Sequence, residues 1–434
     1  MSALSPRPAP SMKNLPIQIS SLAVVALAAL GAVPQQASAA EPAPLSWVVT
    51  PSGQLRDRLF LDSGRDFSDF SGPAHRRYVT QRARMSLQAQ YATGMTVKVT
   101  AQDVRIWGEE PDPTAYVGKG VDFYEAYVGI PLGHEATLTL GRQGLSWDNE
   151  RLIGKLDWAQ RGRAFDALRL DHKHGALDIQ AFAAHLGNDS AQQDADGHVT
   201  NLPGSEKVLA GAHLGWSVSP KLKAAAVYVY RSAEAIGEDR HTAGLFATGQ
   251  AGPLTLTGEG YAQLGDLAHN SISAWMAAGR VTYKSTLPGA LGVGLFGEAL
   301  SGDRTKEGAF DTLYGTNHKF YGEMDFFLDI PKHTALHGLV DAGASLSALP
   351  SPWLTCNLDW HLMRTYRAHV TPSSTSSELG QEIDVKATAA IHKNLSVQAL
   401  FGVFLPGEAL KGIRGLKTDA ATEQMLFVTV DATF

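Results

Sequence analysis

From residue 54 to its last residue, the chain repeatedly alternates apolar and polar positions. Side chains along a β-strand point to opposite faces in turn, so alternation with period two marks strands with one apolar and one polar side. In "KLKAAAVYVYRS", Leu222, Ala224, Ala226, Tyr228 and Tyr230 form one row, and Lys223 and Arg231 lie in the other. In "PLTLTGEGYAQL", Leu254, Leu256, Gly258, Gly260, Ala262 and Leu264 oppose Thr255, Thr257, Glu259, Tyr261 and Gln263. The pattern predicts strands at 54–62, 79–91, 94–107, 121–130, 135–143, 163–171, 175–186, 206–218, 221–231, 241–250, 253–264, 271–285, 290–301, 335–347, 353–366, 380–391, 395–404 and 424–434. That is eighteen, with sixteen as the alternative count.

The connections between these strands alternate as well. After even-numbered strands they are tight and rich in turn formers, as in "PLGH" at 131, "HKHG" at 172, "SPK" at 219 and "HKN" at 392. After odd-numbered strands they are mostly long and polar, notably 108–120, 144–162, 187–205, 302–334 and 405–423. Strands with one apolar face, short turns at one end and long loops at the other describe an up-and-down antiparallel barrel in a membrane. Closure is required because lipid offers no hydrogen-bond partners to an open sheet edge. Trp47, Trp107, Trp216, Tyr230 and Trp353, near strand ends, suit interfacial girdles. The segment "NHKFYGEMDFFLDI" at 317–330 also alternates, but a nineteenth strand would break the parity, so it is assigned to an external or inward-folded loop.

The chain ends support an outer-membrane location. Residues 1–40 read as an export signal, with Arg7 and Lys13, an apolar run from Leu22 to Val33 and then "QQASAA", which leaves 41–434 as the barrel. The final "MLFVTVDATF" places Leu426, Val428, Val430, Ala432 and Phe434 on one face, a form suited to recognition by barrel assembly machinery. Removing the signal takes the formal charge from −6 to −8, which argues against nucleic acid as a partner. The single Cys356 excludes an internal disulfide, and it shares parity with the apolar Leu354, Leu358 and Trp360, so it is expected to face lipid.

Against this acidic background, "GRQGLSWDNERLIGKLDWAQRGRAFDALRL" (141–170) is dense in arginine. Arg142, Arg151, Arg163 and Arg169, with Arg105 on a neighbouring strand end, are the candidate pore residues, and Asp148, Asp157, Asp166, Glu382 and Asp384 are candidates to hold them in place. Guanidinium groups stay charged and present a planar fork to carboxylates, and in a confined lumen they concentrate anions. Strict alternation puts Arg142 beside Leu138 and Leu140 on the lipid side. Two escapes are open: a bulge at Gly141, or a position above the membrane band. The histidines lack metal-ligand spacing, no nucleophile, histidine and acid grouping recurs, and no cofactor motif is present, so catalysis is not expected. Acidic external loops could bind a divalent cation, with "NDSAQQDADGH" (188–198) the best suited, although a solvated loop accounts for it more simply.

Three stretches resemble the alginate export proteins of bacterial outer membranes: "GRQGLSWDNERLIGKLDW" with "RAFDALRL", "HKFYGEMDFF" (318–327), and "ELGQEIDV" (378–385) followed by "VFLPGEAL" (403–410). The resemblance implies an eighteen-stranded, monomeric barrel that passes an anionic polyuronate through a basic lumen, with Arg142 matching the family's pore arginine best. Periplasmic export components would be its partners beside the lipid. A diffusion porin for small anionic or sugar nutrients is the alternative function.

Overall fold

The computed structural model of the protein describes residues 46–63, 76–110, 120–188, 192–193, 199–200, 206–286, 289–370, 374–416 and 420–434. The expected export signal and most of the acidic stretch 188–198 lie outside the described residues. The rest forms one sheet of eighteen strands closed on itself, every neighbouring pair antiparallel. In chain order the strands are β1 Trp47–Asp62, β2 Arg76–Tyr91, β3 Thr96–Ile106, β4 Asp122–Leu132, β5 Ala136–Gln143, β6 Phe165–His174, β7 Leu177–Asn188, β8 Glu206–Ser219 and β9 Leu222–Ala233. They continue as β10 Glu238–Ala251, β11 Leu254–Leu267, β12 Asn270–Lys284, β13 Gly292–Leu300, β14 Leu339–Ser351, β15 Leu354–Val370, β16 Thr375–His392, β17 Leu395–Pro406 and β18 Glu423–Thr433. All eighteen overlap the expected segments. Each strand pairs with its neighbours in sequence, and β18 pairs with β1 from Gln54↔Thr433 to Asp62↔Met425, which removes the last open edge.

The connections after even-numbered strands are short, for example 175–176, 220–221, 252–253 and 352–353, whereas 144–164 and 301–338 are the longest described loops at the other end. The two faces separate as the alternation predicts. On β1, Leu55 and Leu59 are 41% and 39% exposed on the outer face, while Arg56 and Arg58 are buried inside. On β11, Leu254, Leu256 and Leu264 face outward, and Tyr261 and Gln263 are buried within the barrel.

One departure from the polar-inside rule is informative. Ala225, Val227 and Val229 of β9, Phe182 and Ala184 of β7 and Leu209 of β8 point inward and are buried. All but Ala225 lie in an apolar cluster with Leu145, Trp147, Leu152 and Ile153 of the first long loop and with Phe310, Met324, Phe326 and Phe327 of the second. The 317–330 segment is thus no strand: it ends in a single helical turn, α1 (Ile330–His333), and its apolar residues pack inside the barrel. A seven-residue helix, α2 (Glu408–Arg414), follows β17 and buries Ala409 and Leu410.

Cys356 pairs across strands with Ala348 and Ala387, two positions before the outward Leu358 and four before the outward Trp360, without a register shift between them. In bilayers an apolar maleimide should therefore label Cys356 faster than a charged thiosulfonate reagent. The opposite order would show that β15 is placed with its faces exchanged.

Candidate functional site

The two long loops fold into the lumen and bind each other before they bind the wall. Ile153 and Tyr314 form a parallel bridge, supported by hydrogen bonds from Tyr314 N to Leu152 O and from Gly154 N to Tyr314 O, both 2.9 Å. Thr316 N donates to Glu150 O, its hydroxyl to the Glu150 carboxylate at 2.6 Å, and Lys319 pairs with the same carboxylate at 2.9 Å. Arg163 donates to the carbonyls of Gly154, Tyr314 and Gly315. The backbone is tightly constrained here. Gly315 sits where a Cβ would lie 2.4 Å from Arg151 O, and Asp148, Glu150, Leu156, Leu313 and Asp325 all have positive φ. Non-glycine residues hold such angles only where surrounding contacts over-determine them.

The first loop spans the lumen from wall to wall. Trp147 Nε1 donates to Gln180 of β7 at 2.8 Å, and Asp148 meets His213 of β8 at 3.0 Å. Arg151 is buried and paired with Glu259 of β11 at 3.0 Å and Glu298 of β13 at 2.7 Å, and it also donates to the Tyr321 hydroxyl at 3.1 Å. The loop then returns to the opposite wall, where Asp157 meets three arginines of β1 and β2. Its carboxylate pairs with Arg56 at 3.2 Å, Arg82 at 3.1 Å and Arg84 at 2.9 Å. Arg58 lies beside them, donating to Thr429 and to Trp158 O, with its guanidinium 3.7 Å over the Trp158 ring. Burial opposes the Asp157 charge, but Arg82, Arg56 and Arg84 outweigh it and hold the carboxyl below the usual range.

The second loop is held mainly by the facing wall. Met324 N donates to Glu382 at 2.7 Å and Glu323 N to Asp384 at 3.3 Å, while the Glu323 carboxylate pairs with Lys386, all three wall residues being on β16. Asp311 pairs with Arg231 of β9 at 2.6 Å. His318 joins the two loops: its ring stacks on Trp158 at 3.8 Å and 5°, and it contacts Asp325 at 2.6 Å and Glu323 at 3.0 Å. Burial pulls its pKa down, but Asp325 and Glu323 reverse that and raise it to about 9. Burial raises the Glu323 carboxyl in turn, yet His318 and Lys386 bring it down to about 2.

These positions redraw the expected site, because the five arginines do not converge. Arg142 lies on the outer face, as strict alternation requires, since the registers of β5 with β4 and β6 run without a shift and Gly141, though at φ 123°, does not re-aim it. Its partner there is Asp166 at 3.3 Å, also outward, near the loop ends of β5 and β6. An arginine costs about 2–4 kcal/mol at the lipid midplane but about 0–1 kcal/mol near the interface, so this placement is tolerable. Arg105 is outward too and pairs with Asp103 at 2.6 Å. Arg151 and Arg163 are spent on holding the loops, whereas Arg169 faces the lumen beside Asp171 at 2.8 Å. The cluster on β1 and β2 was absent from the expectation. Its signal is "RDR" at 56–58 and "RAR" at 82–84, each placing two arginines on the inward parity, with Arg56 directly opposite Arg82. Among the described residues no group of three or more His, Cys, Asp and Glu could hold a metal ion.

The sequence model of one family, alginate export, matches residues 52–422. The chain belongs to the alginate export family. Its fold is that of outer-membrane porins, and it forms an outer-membrane channel. Solved relatives in shape include Pseudomonas aeruginosa OpdL, at TM-score 0.61 and 14% identity over 89% of this chain and 98% of that one. OccK3 (OpdO) of the same organism gives TM-score 0.60 and 12% identity over 89% and 95%. OpdK, solved with vanillate, gives 0.56 and 12% over 88% and 98%. Among curated proteins, none is significantly similar in sequence.

The folded-state pKa of His318, about 9, stands above its ordinary 6.5, so its share of loop docking is complete below about pH 6.5 and lost as pH rises through about 9. Single-channel current noise should therefore grow between roughly pH 8 and 10 in the wild type. His318→Gln should be noisy at neutral pH and insensitive to that rise; matching, pH-independent traces from both proteins would remove His318 as the clamp.

Proposed function

We propose that the barrel passes an anionic polysaccharide, alginate or a similar polyuronate, across the outer membrane along the basic wall of β1 and β2. The observation that carries this is the convergence of Arg56, Arg58, Arg82 and Arg84 on one inward patch, with Arg169 on β6 farther along the wall. Asp157 at the cluster centre and Asp431 at 2.9 Å from Arg56 are fewer than the four guanidiniums, and Asp325 and Glu323, which also act on Arg58, are themselves paired with His318 and Lys386. Net positive charge therefore remains. Two unit charges 4 Å apart attract by about 1 kcal/mol in bulk water and roughly 4 kcal/mol at an effective dielectric of 20, so confinement makes such a wall effective. Several moderate contacts also suit transit, because one tight site would trap a polymer.

A second reading, a porin for small carboxylated nutrients, is favoured by the two loops that narrow the lumen. OpdK, solved with vanillate, has the same fold. The two readings differ in how the channel treats chains longer than one unit.

Arg84→Glu with Arg169→Glu is the suitable double variant, since these side chains are 11% and 27% exposed whereas Arg82 is fully enclosed. It should move the reversal potential in a salt gradient toward cation selectivity and weaken block by oligomannuronates by an order of magnitude or more. Unchanged selectivity in a folded double variant would make the arginines wall braces. Permeation by monocarboxylates without block by oligomers would favour the small-solute porin.

A further inference from the structure

A second feature of the lumen lies away from the arginine cluster. Between the wall strands β11 to β16 and residues 318–323 of the second loop is a cavity of about 360 Å³, lined in part by Arg280, Phe296, Lys319, Phe320, Asp359 and Lys386. That volume falls in the range of about 300–1,000 Å³ common for small-molecule sites. Its two lysines are already neutralised, Lys319 by Glu150 and Lys386 by Glu323. Arg280 is not. The other lumen-facing strand arginines, at 56, 58, 76, 82, 84, 169, 231 and 240, all make hydrogen bonds to wall or loop groups. Among the described residues Arg280 has no hydrogen-bond or salt-bridge partner, and its guanidinium carbon lies 4.5 Å from the centre of the Phe296 ring.

That contact positions the group. Phe296 sits opposite Arg280 across the β12–β13 ladder and packs against the His361 ring at 4.9 Å, and His361 is itself fixed by Asp341 at 2.7 Å. The aromatic face steadies the guanidinium plane without using its N–H donors, which remain available to a carboxylate. Asp359 likewise has no hydrogen-bond or salt-bridge partner among the described residues, although it lines the same cavity. It attracts Arg280 electrostatically across the cavity, but no hydrogen bond or salt bridge joins the two. A cation and a carboxylate, neither of them hydrogen-bonded among the described residues, thus line one cavity.

We propose that this cavity is a subsite for a carboxylated oligosaccharide of two or three units. Arg280, steadied by Phe296, takes a uronate carboxylate, and Asp359 accepts hydrogen bonds from ring hydroxyls of the neighbouring unit. The subsite rests on the reading that polyuronates traverse the lumen, and it adds a station on the wall opposite the arginine cluster.

The test is calorimetric binding of trigalacturonate, with maltotriose as the neutral control, to the full-length barrel in detergent. Folding of each variant is checked by heat-modifiable gel mobility. Arg280→Gln should weaken trigalacturonate binding about tenfold, the loss expected for one charge-assisted pair, and Arg280→Lys should recover part of it. Asp359→Asn should weaken it less, and maltotriose binding should not change with Arg280. Wild-type binding with an equal affinity in folded Arg280→Gln overturns the subsite alone. A wild type that selects anions yet does not bind trigalacturonate overturns both the subsite and the polyuronate reading.

Discussion

The architecture depends on the pairing of β18 with β1. A sheet in lipid must satisfy every backbone N–H and C=O within itself, and only this seam removes the last unpaired row. Closure over eighteen strands then fixes a circumference, and a circumference of that size leaves an interior wider than wall side chains can fill. The two inward loops follow from that geometry. They supply the groups that bury Val227, Val229, Phe182 and Leu209, side chains whose inward placement has no purpose in an empty aqueous tube.

The loops are held by charge of opposite sign on two walls. Asp157 reaches the guanidiniums of β1 and β2, while backbone N–H groups of the second loop reach Glu382 and Asp384 on β16. Between them runs the stack of Arg58, Trp158 and His318, which ties wall to first loop and first loop to second. Inward arginines thus gather on β1 and β2 and inward carboxylates from β11 to β16, where Glu259 and Glu298 pair with Arg151 and Asp341 with His361.

The fold was legible because a membrane barrel writes its constraints locally. Each strand must alternate, and each turn between them is short enough to show its Gly, Pro or Asn. The strands from 206 to 267 could be read almost residue by residue. The site was less legible because it is made by cross-strand register and loop docking. Density of arginine marked 138–170 but did not show faces: Arg142 lies outside, Arg151 anchors a loop, and "RDR" and "RAR", far apart in sequence and modest in count, meet through the pairing of Arg56 with Arg82. The alternation of "HKFYGEMDFF" resembles a strand because half of its residues are buried. What buries them is loop packing, which period alone does not distinguish from a sheet.

The seam also sets the order of events in folding. The hydrogen bonds from Gln54 to Asp431 join residues 377 positions apart, whereas every other strand pair in the barrel is joined through a single connection. Hairpins can form as soon as their own two strands exist, since their loop-closure entropy is small. The seam cannot form until the last strand arrives, and until then β1 and β17 present open edges. An intermediate with seventeen strands in place is still an unclosed ribbon whose two rims can pair with any other strand. The seam is therefore the pairing with the largest loop-closure entropy to overcome.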